Sequence, residues 1–149
     1  MKTHSSKTIN PNAPVKIKQT ITINAPVMKV WKIMIDVNNW KIWQNEISSS
    51  KINGDFKQGT TFDWKSGGLN IRSTLQTVLS FTKIGWTGKA FGASAIHTWF
   101  FLEMNGSTTV TVEESMEGWL VSLMKNKFQS GLTKATNNWL NNLKHHAED

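Results

Sequence analysis

His97 and Glu114 are the two side chains whose types and relative placement could move a proton together. They flank Asn105-Gly106, a dipeptide that favours a tight hairpin turn. In a hairpin closed by a two-residue turn, paired residues have a constant sum of residue numbers and share a face. Centring the turn on Asn105-Gly106 pairs Phe101 with Val110, Trp99 with Val112, and His97 with Glu114. Cross-strand partners hold their Cβ atoms about 4.5 to 5.5 Å apart, within hydrogen-bond or single-water reach. An imidazole and a carboxylate so placed can act as general acid and base. Two other uses are open: orienting a bound ligand, or satisfying one another as a polar island in a core.

Other chemistries lack their residues. The chain has no cysteine, which removes disulfides, thiolate nucleophiles and cysteine metal sites together. His97 with Glu114 supplies two metal ligands at most, and Asp36, Asp55 and Asp63 have no spacing that completes a site, so no metal is expected. Gly67-Gly68 and Gly85-Trp86-Thr87-Gly88 fall in a hairpin and a strand rather than before a helix, so there is no phosphate loop. No serine has visible triad partners. No cofactor is expected, and His4, His145 and His146 lie in the tails without an assigned role.

The elements that must hold the pair read as follows. Val15 to Ile23 alternates as a first strand, Asn24 offers a capping side chain, Pro26 sits where a helix starts, and Val27 to Ile35 forms a short helix. A second helical turn is expected near Asn39 to Trp43. From Ile47 to Glu117, turn signals at Asn53-Gly54, Gly67-Gly68, Ser80-Phe81, Gly92-Ala93 and Asn105-Gly106 separate six further strands. The same arithmetic pairs Trp86 with Trp99, Ile84 with Phe101 and Gly88 with His97 about Gly92-Ala93; Leu75 with Trp86 and Ser73 with Gly88 about Ser80-Phe81; and Trp64 with Ile71 and Phe62 with Ser73 about Gly67-Gly68. All four hairpins agree on one aromatic-lined face, while Asn70, Arg72, Thr74, Gln76, Thr109, Thr111 and Glu113 make the other polar. Phe100 and Leu102 break the pattern of the outer face. From Gly118 to Leu143 the residues Leu120, Val121, Met124, Phe128, Leu132, Ala135, Trp139 and Leu143 recur at steps of three and four, which predicts one long amphipathic helix across the sheet.

The 149 residues, 38% of them hydrophobic, fit a single domain over residues 13–149 behind a flexible, polar leader over 1–12. No signal peptide or spanning segment is visible, so a soluble, cytoplasmic protein without membrane insertion is expected. The net charge of +7 raises nucleic acid or an anionic membrane as partners, but Lys16, Lys18, Lys29, Lys41, Lys57, Lys83 and Lys125 are scattered and read as a solvated surface. Stacking on nucleic acid would need the tryptophans outside, and the register places them inside, so no nucleic acid is expected. Eight tryptophans and no tyrosine suggest wide aromatic walls around a cavity.

With NAPVMKVWKIMIDVNNWKIW, GWTGKAFGASAIHTW, VTVEESMEGWL and the terminal helix, the chain resembles the START-like helix-grip superfamily (SRPBCC), in its polyketide cyclase/dehydrase-like branch, from Val15 to Leu143. The resemblance implies an α+β helix-grip fold: a seven-stranded curved antiparallel sheet wrapped around a long C-terminal helix, with two short helices between strands 1 and 2. It also implies a hydrophobic small molecule, aromatic or lipid-like, held between sheet and helix. The expected ligand contacts are Phe62, Trp64, Ser73, Trp86, Gly88, His97, Trp99, Val112 and Glu114 from the sheet, with Phe128 and Leu132 from the helix. Binding or transport leads. A cyclase/dehydrase using His97 and Glu114, and an interaction module docking through its outer face or short helices, are the alternatives. A monomer or weak homodimer is expected.

Overall fold

The alternation of Val15, Ile17, Ile21 and Ile23 with Lys16, Lys18 and Thr22 forms the first strand, β1 (Val15–Ile23), in a computed structural model that describes residues 8–149. There follow α1 (Val27–Ile35), a 3-10 helix (Val37–Ile42), β2 (Ile47–Ile52), β3 (Thr61–Ser66), β4 (Leu69–Leu79), β5 (Lys83–Ala90), β6 (Ala93–Met104), β7 (Ser107–Glu117), α2 (Trp119–Leu123) and α3 (Lys125–Glu148). The strands form one antiparallel sheet in the order β1-β7-β6-β5-β4-β3-β2. Because β1 pairs with β7, the chain must cross the width of the sheet before β2, and α1 with the 3-10 helix makes that crossing. This is a helix-grip fold. Most of the expected leader, residues 1–7, lies outside the described residues; within them, Asn10 donates its backbone N–H to Ser115 Oγ on β7 at 3.0 Å.

The β6–β7 register is the one read from Asn105-Gly106, with His97 opposite Glu114. In the β5–β6 hairpin the turn falls at Phe91-Gly92 instead of Gly92-Ala93, with Gly92 supplying the left-handed φ of +67°. Trp86 therefore faces His97, Ile84 faces Trp99 and Gly88 faces Ala95. The slip is two residues, so every side chain keeps its face. In β4 the pairing matches the reading up to Leu75 opposite Trp86, then a bulge before Thr77 admits one extra residue and turns Val78 inward, opposite Ile84.

The helices depart further from expectation. Asn24 does not cap α1; its Oδ1 accepts from Ser107 Oγ at 2.8 Å, while Val27 N–H at the helix start donates to Glu103 Oε1 of β6 at 2.9 Å. The second helical segment begins earlier, at Val37, as a 3-10 helix. The single terminal helix is two: at Met124 φ −122° and ψ 40° leave the helical region, separating α2 from α3, which then continues beyond Leu143 to Glu148. On the outer face Phe100, Leu102 and Met104 are exposed on one side of β6.

The core is assembled on Trp40. This fully buried side chain of the 3-10 helix enters the concave face of the sheet, with ring centroids 5.4 Å from Phe62, 5.8 Å from Trp64 and Trp86, and 5.0 Å from Trp139 of α3. Its indole N–H donates to Met34 O at 3.0 Å, so burial leaves no orphan donor there. Trp31 of α1 extends the packing to Phe101 and Phe81. Replacing Trp40 with Ala should cost about 3 to 5 kcal/mol and lower the Tm by roughly 10 °C. The exposed neighbour Ile42→Ala should change it little; comparable losses in thermal denaturation would refute the central place given to Trp40.

Candidate functional site

Aromatic packing fills the space between sheet and α3 at the α1 end only. Towards α2 the two surfaces separate around a cavity of about 710 Å³, open to solvent. The sheet contributes Trp64, Ile71, Trp86 and Trp99, and α3 contributes Phe128, Leu132, Ala135 and Trp139. The hollow follows from small side chains: Gly88, Ala90, Ala93, Ser94 and Ala95 around the β5–β6 turn lie on one side and Gly131 and Ala135 on the other. A Cβ added at Gly131 would meet nothing within 4 Å. The floor is the Trp139 ring, 5.6 Å from Trp99 and 5.8 Å from Trp64.

His97 and Glu114 both line this cavity, with Nε2 2.9 Å from Oε1. Their side chains are 12% and 5% exposed. The imidazole lies beside the Trp86 ring, at 5.4 Å and a tilt of 33°, so an aromatic ring holds it on one side and a carboxylate on another. Together the pair forms a polar spot in an apolar wall, able to exchange a proton with a bound molecule or accept its hydrogen bonds. Among the described residues no group of three or more His, Asp or Glu is placed to hold a metal.

Of the residues expected to contact a ligand, Trp64, Trp86, Gly88, His97, Trp99, Glu114, Phe128 and Leu132 line the cavity. Phe62, Ser73 and Val112 do not. Phe62 and Val112 are fully buried in the core, and Ser73 Oγ accepts the Trp64 indole N–H at 3.0 Å, fixing that wall ring in place. Gly88 leaves its space beside Ile71 and Ser73, whose nearest side-chain atoms would each lie 3.4 Å from a Cβ placed there, and it does not face His97 across the strands. Sequence reasoning misses Leu120, Met124, Met116, Lys89 and Lys127 in the lining. The signal for the hollow is present as the small-residue run GKAFGASA.

Residues 14–148 match the family described as polyketide cyclase / dehydrase and lipid transport. The chain belongs to that family. No curated protein matches significantly. Among solved structures, the chain is similar to a hypothetical protein from Helicobacter pylori at 14% identity and a TM-score of 0.81, covering 96% of this chain and 98% of that one. It is also similar to a Streptomyces aromatase/cyclase (14% identity, TM-score 0.79, 89% and 93% covered) and to a START superfamily protein from Mycobacterium smegmatis (12%, 0.74, 89% and 97%). At these identities the likeness establishes the fold.

In this member of the polyketide cyclase/dehydrase and lipid transport family, one side of the mouth is set by two glycines. Gly118, at φ +128°, lies so close to the β5–β6 turn that a Cβ would sit 2.5 Å from Gly92 O, and a Cβ on Gly92 would sit 2.6 Å from Leu120. Leu120 N–H donates to Gly92 O at 3.1 Å, tying α2 to that turn. Gly118→Ala combines an unfavourable φ with a backbone clash, and should destabilise by about 1 to 3 kcal/mol. Hydrogen exchange should show faster exchange at Leu120 N–H; unchanged exchange and Tm would show that the contact does not hold α2.

Proposed function

We propose that the protein binds a hydrophobic small molecule, aromatic or lipid-like, between the sheet and α3, sheltering it from water for transport. The observation that carries this reading is the open cavity of about 710 Å³ with four tryptophans in its lining. Small-molecule sites typically measure about 300 to 1,000 Å³ and combine apolar walls with a few polar groups. Here His97 and Glu114 are such groups, available to a hydroxyl or carbonyl on an otherwise apolar ligand. Purified protein examined by native mass spectrometry should carry a retained small molecule. Leu132→Trp, which adds bulk to the lining, should reduce uptake of a hydrophobic dye such as anilinonaphthalene sulfonate by about tenfold; unchanged uptake would place binding elsewhere.

A second reading is supported by the 2.9 Å pair itself: a cyclase/dehydrase in which His97 and Glu114 share the proton transfers on a bound polyketide-like substrate. In that case Glu114→Gln should lower turnover by about 10²- to 10⁴-fold while retaining ligand. Equal turnover in wild type and variant would remove this reading. An interaction module needs no hollow interior, so the cavity favours the two ligand-based readings over it.

A further inference from the structure

We propose that the mouth of the cavity docks peripherally on an anionic lipid surface, with Phe91, Trp119 and Leu123 entering the headgroup layer. These side chains are 76%, 62% and 75% exposed. Phe91 and Trp119 meet edge to face at 5.5 Å, and Trp119 and Leu123 lie one turn apart on α2, so the three form one patch. None of them lines the cavity, but their neighbours Ala90, Leu120 and Met124 do, which puts the patch on the rim.

Two further observations point to lipid. The patch is held out in a fixed position, because the Gly92–Gly118 contact and the Leu120 N–H bond seat α2 on the β5–β6 turn. Lysines that scatter in the sequence also gather here: Lys89 and Lys127 are in the lining and Lys125 begins α3. Of the acidic residues, Glu114 in the lining is paired with His97, Glu46 lies in the lining just before β2, and Glu117 ends β7, so next to the patch the three lysines face one carboxylate, on a chain of net charge +7. Aromatic and leucine side chains framed by lysines suit the interface of an anionic bilayer. Two aromatic side chains and a leucine offer roughly 500 Å², less than the ~800 Å² per partner of a stable protein interface. Among the described residues no helix is long and apolar enough to cross a membrane, which fits contact from one side.

The purpose of docking rests on the cavity reading, since an apolar ligand could then pass between bilayer and cavity without crossing water. The docking itself is measurable separately. The full chain should sediment with phosphatidylcholine vesicles containing phosphatidylglycerol, less with phosphatidylcholine alone, and less at high salt. The double variant Trp119→Ser with Leu123→Ser should lower vesicle binding by about tenfold or more, while taking up anilinonaphthalene sulfonate like wild type, which shows that it is folded with its cavity intact. Absence of vesicle binding by wild type, or equal binding by the double variant, would overturn the proposal. So would a wild-type dimer that binds no vesicles and dissociates in the double variant, because the patch would then be an interface between copies. Vesicle binding without dye uptake would sustain the docking and remove the cavity reading.

Discussion

Trp139 is the side chain through which the terminal helix enters the aromatic core. Its ring meets Trp40, Trp43, Trp64 and Trp99 at centroid distances of 5.0 to 5.8 Å, linking α3 to the 3-10 segment and to strands β3 and β6. Beyond it Leu140, Leu143 and Ala147 are buried. Before it Phe128 and Leu132 are only half-buried and Ala135 is exposed to the cavity. One indole is therefore both the end of the core and the floor of the hollow. Gln44 reinforces the position, donating to Trp139 O at 3.1 Å and accepting from Asn142 Nδ2 at 3.1 Å.

This aromatic floor has a polar cost. The indole N–H groups of Trp86, Trp99 and Trp139 are buried without a hydrogen-bond acceptor, each at about 1 to 3 kcal/mol if nothing compensates. Close aromatic contacts offset part of that cost, at about 0.5 to 1.5 kcal/mol per pair. His97 and Glu114 obey a different rule. At 2.9 Å they satisfy one another, and removing either would leave a buried group unpaired, a loss of about 3 to 5 kcal/mol for charged partners. The pair therefore satisfies its own hydrogen bonding without a ligand. Any chemistry it performs depends on a ligand reaching the same wall.

The sheet was legible because strand periodicity is local. Parity decides which face a residue occupies, so a two-residue slip in β5–β6 leaves Trp86, His97 and Trp99 facing inward, as the sequence pattern predicts. The bulge at Gln76 was not legible, because an inserted residue in β4 is defined by its partner strand, and nothing in the stretch LQTVL marks it. Apolar spacing likewise ran through Met124 without a break. The interruption falls between two tertiary attachments, α2 being bound to Gly92 and α3 to the Trp139 cluster. Ser73 shows the same limit: its inward face was readable, but its engagement by the Trp64 N–H depended on side-chain direction.

Three attachments determine where the roof of the cavity can yield. α2 is held by backbone contact at one end, and α3 by buried tryptophan and leucine side chains at the other. Between them, from Lys125 to Ala135, the helix has no buried residue and carries Gly131, but it is tied to β1: Gln129 accepts from Lys16 N–H at 3.3 Å and donates to Lys16 O at 3.0 Å, and Gln19 Nε2 donates to Thr133 O at 3.4 Å. Stability is lowest where apolar contacts are fewest. Opening of this stretch must therefore either break the polar contacts of Gln129 with Lys16 or pivot about them on the β1 side of the roof. A ligand passing the rim formed by Leu120 and Met124 would lie beneath Phe128 and Leu132, against the wall that holds His97 and Glu114.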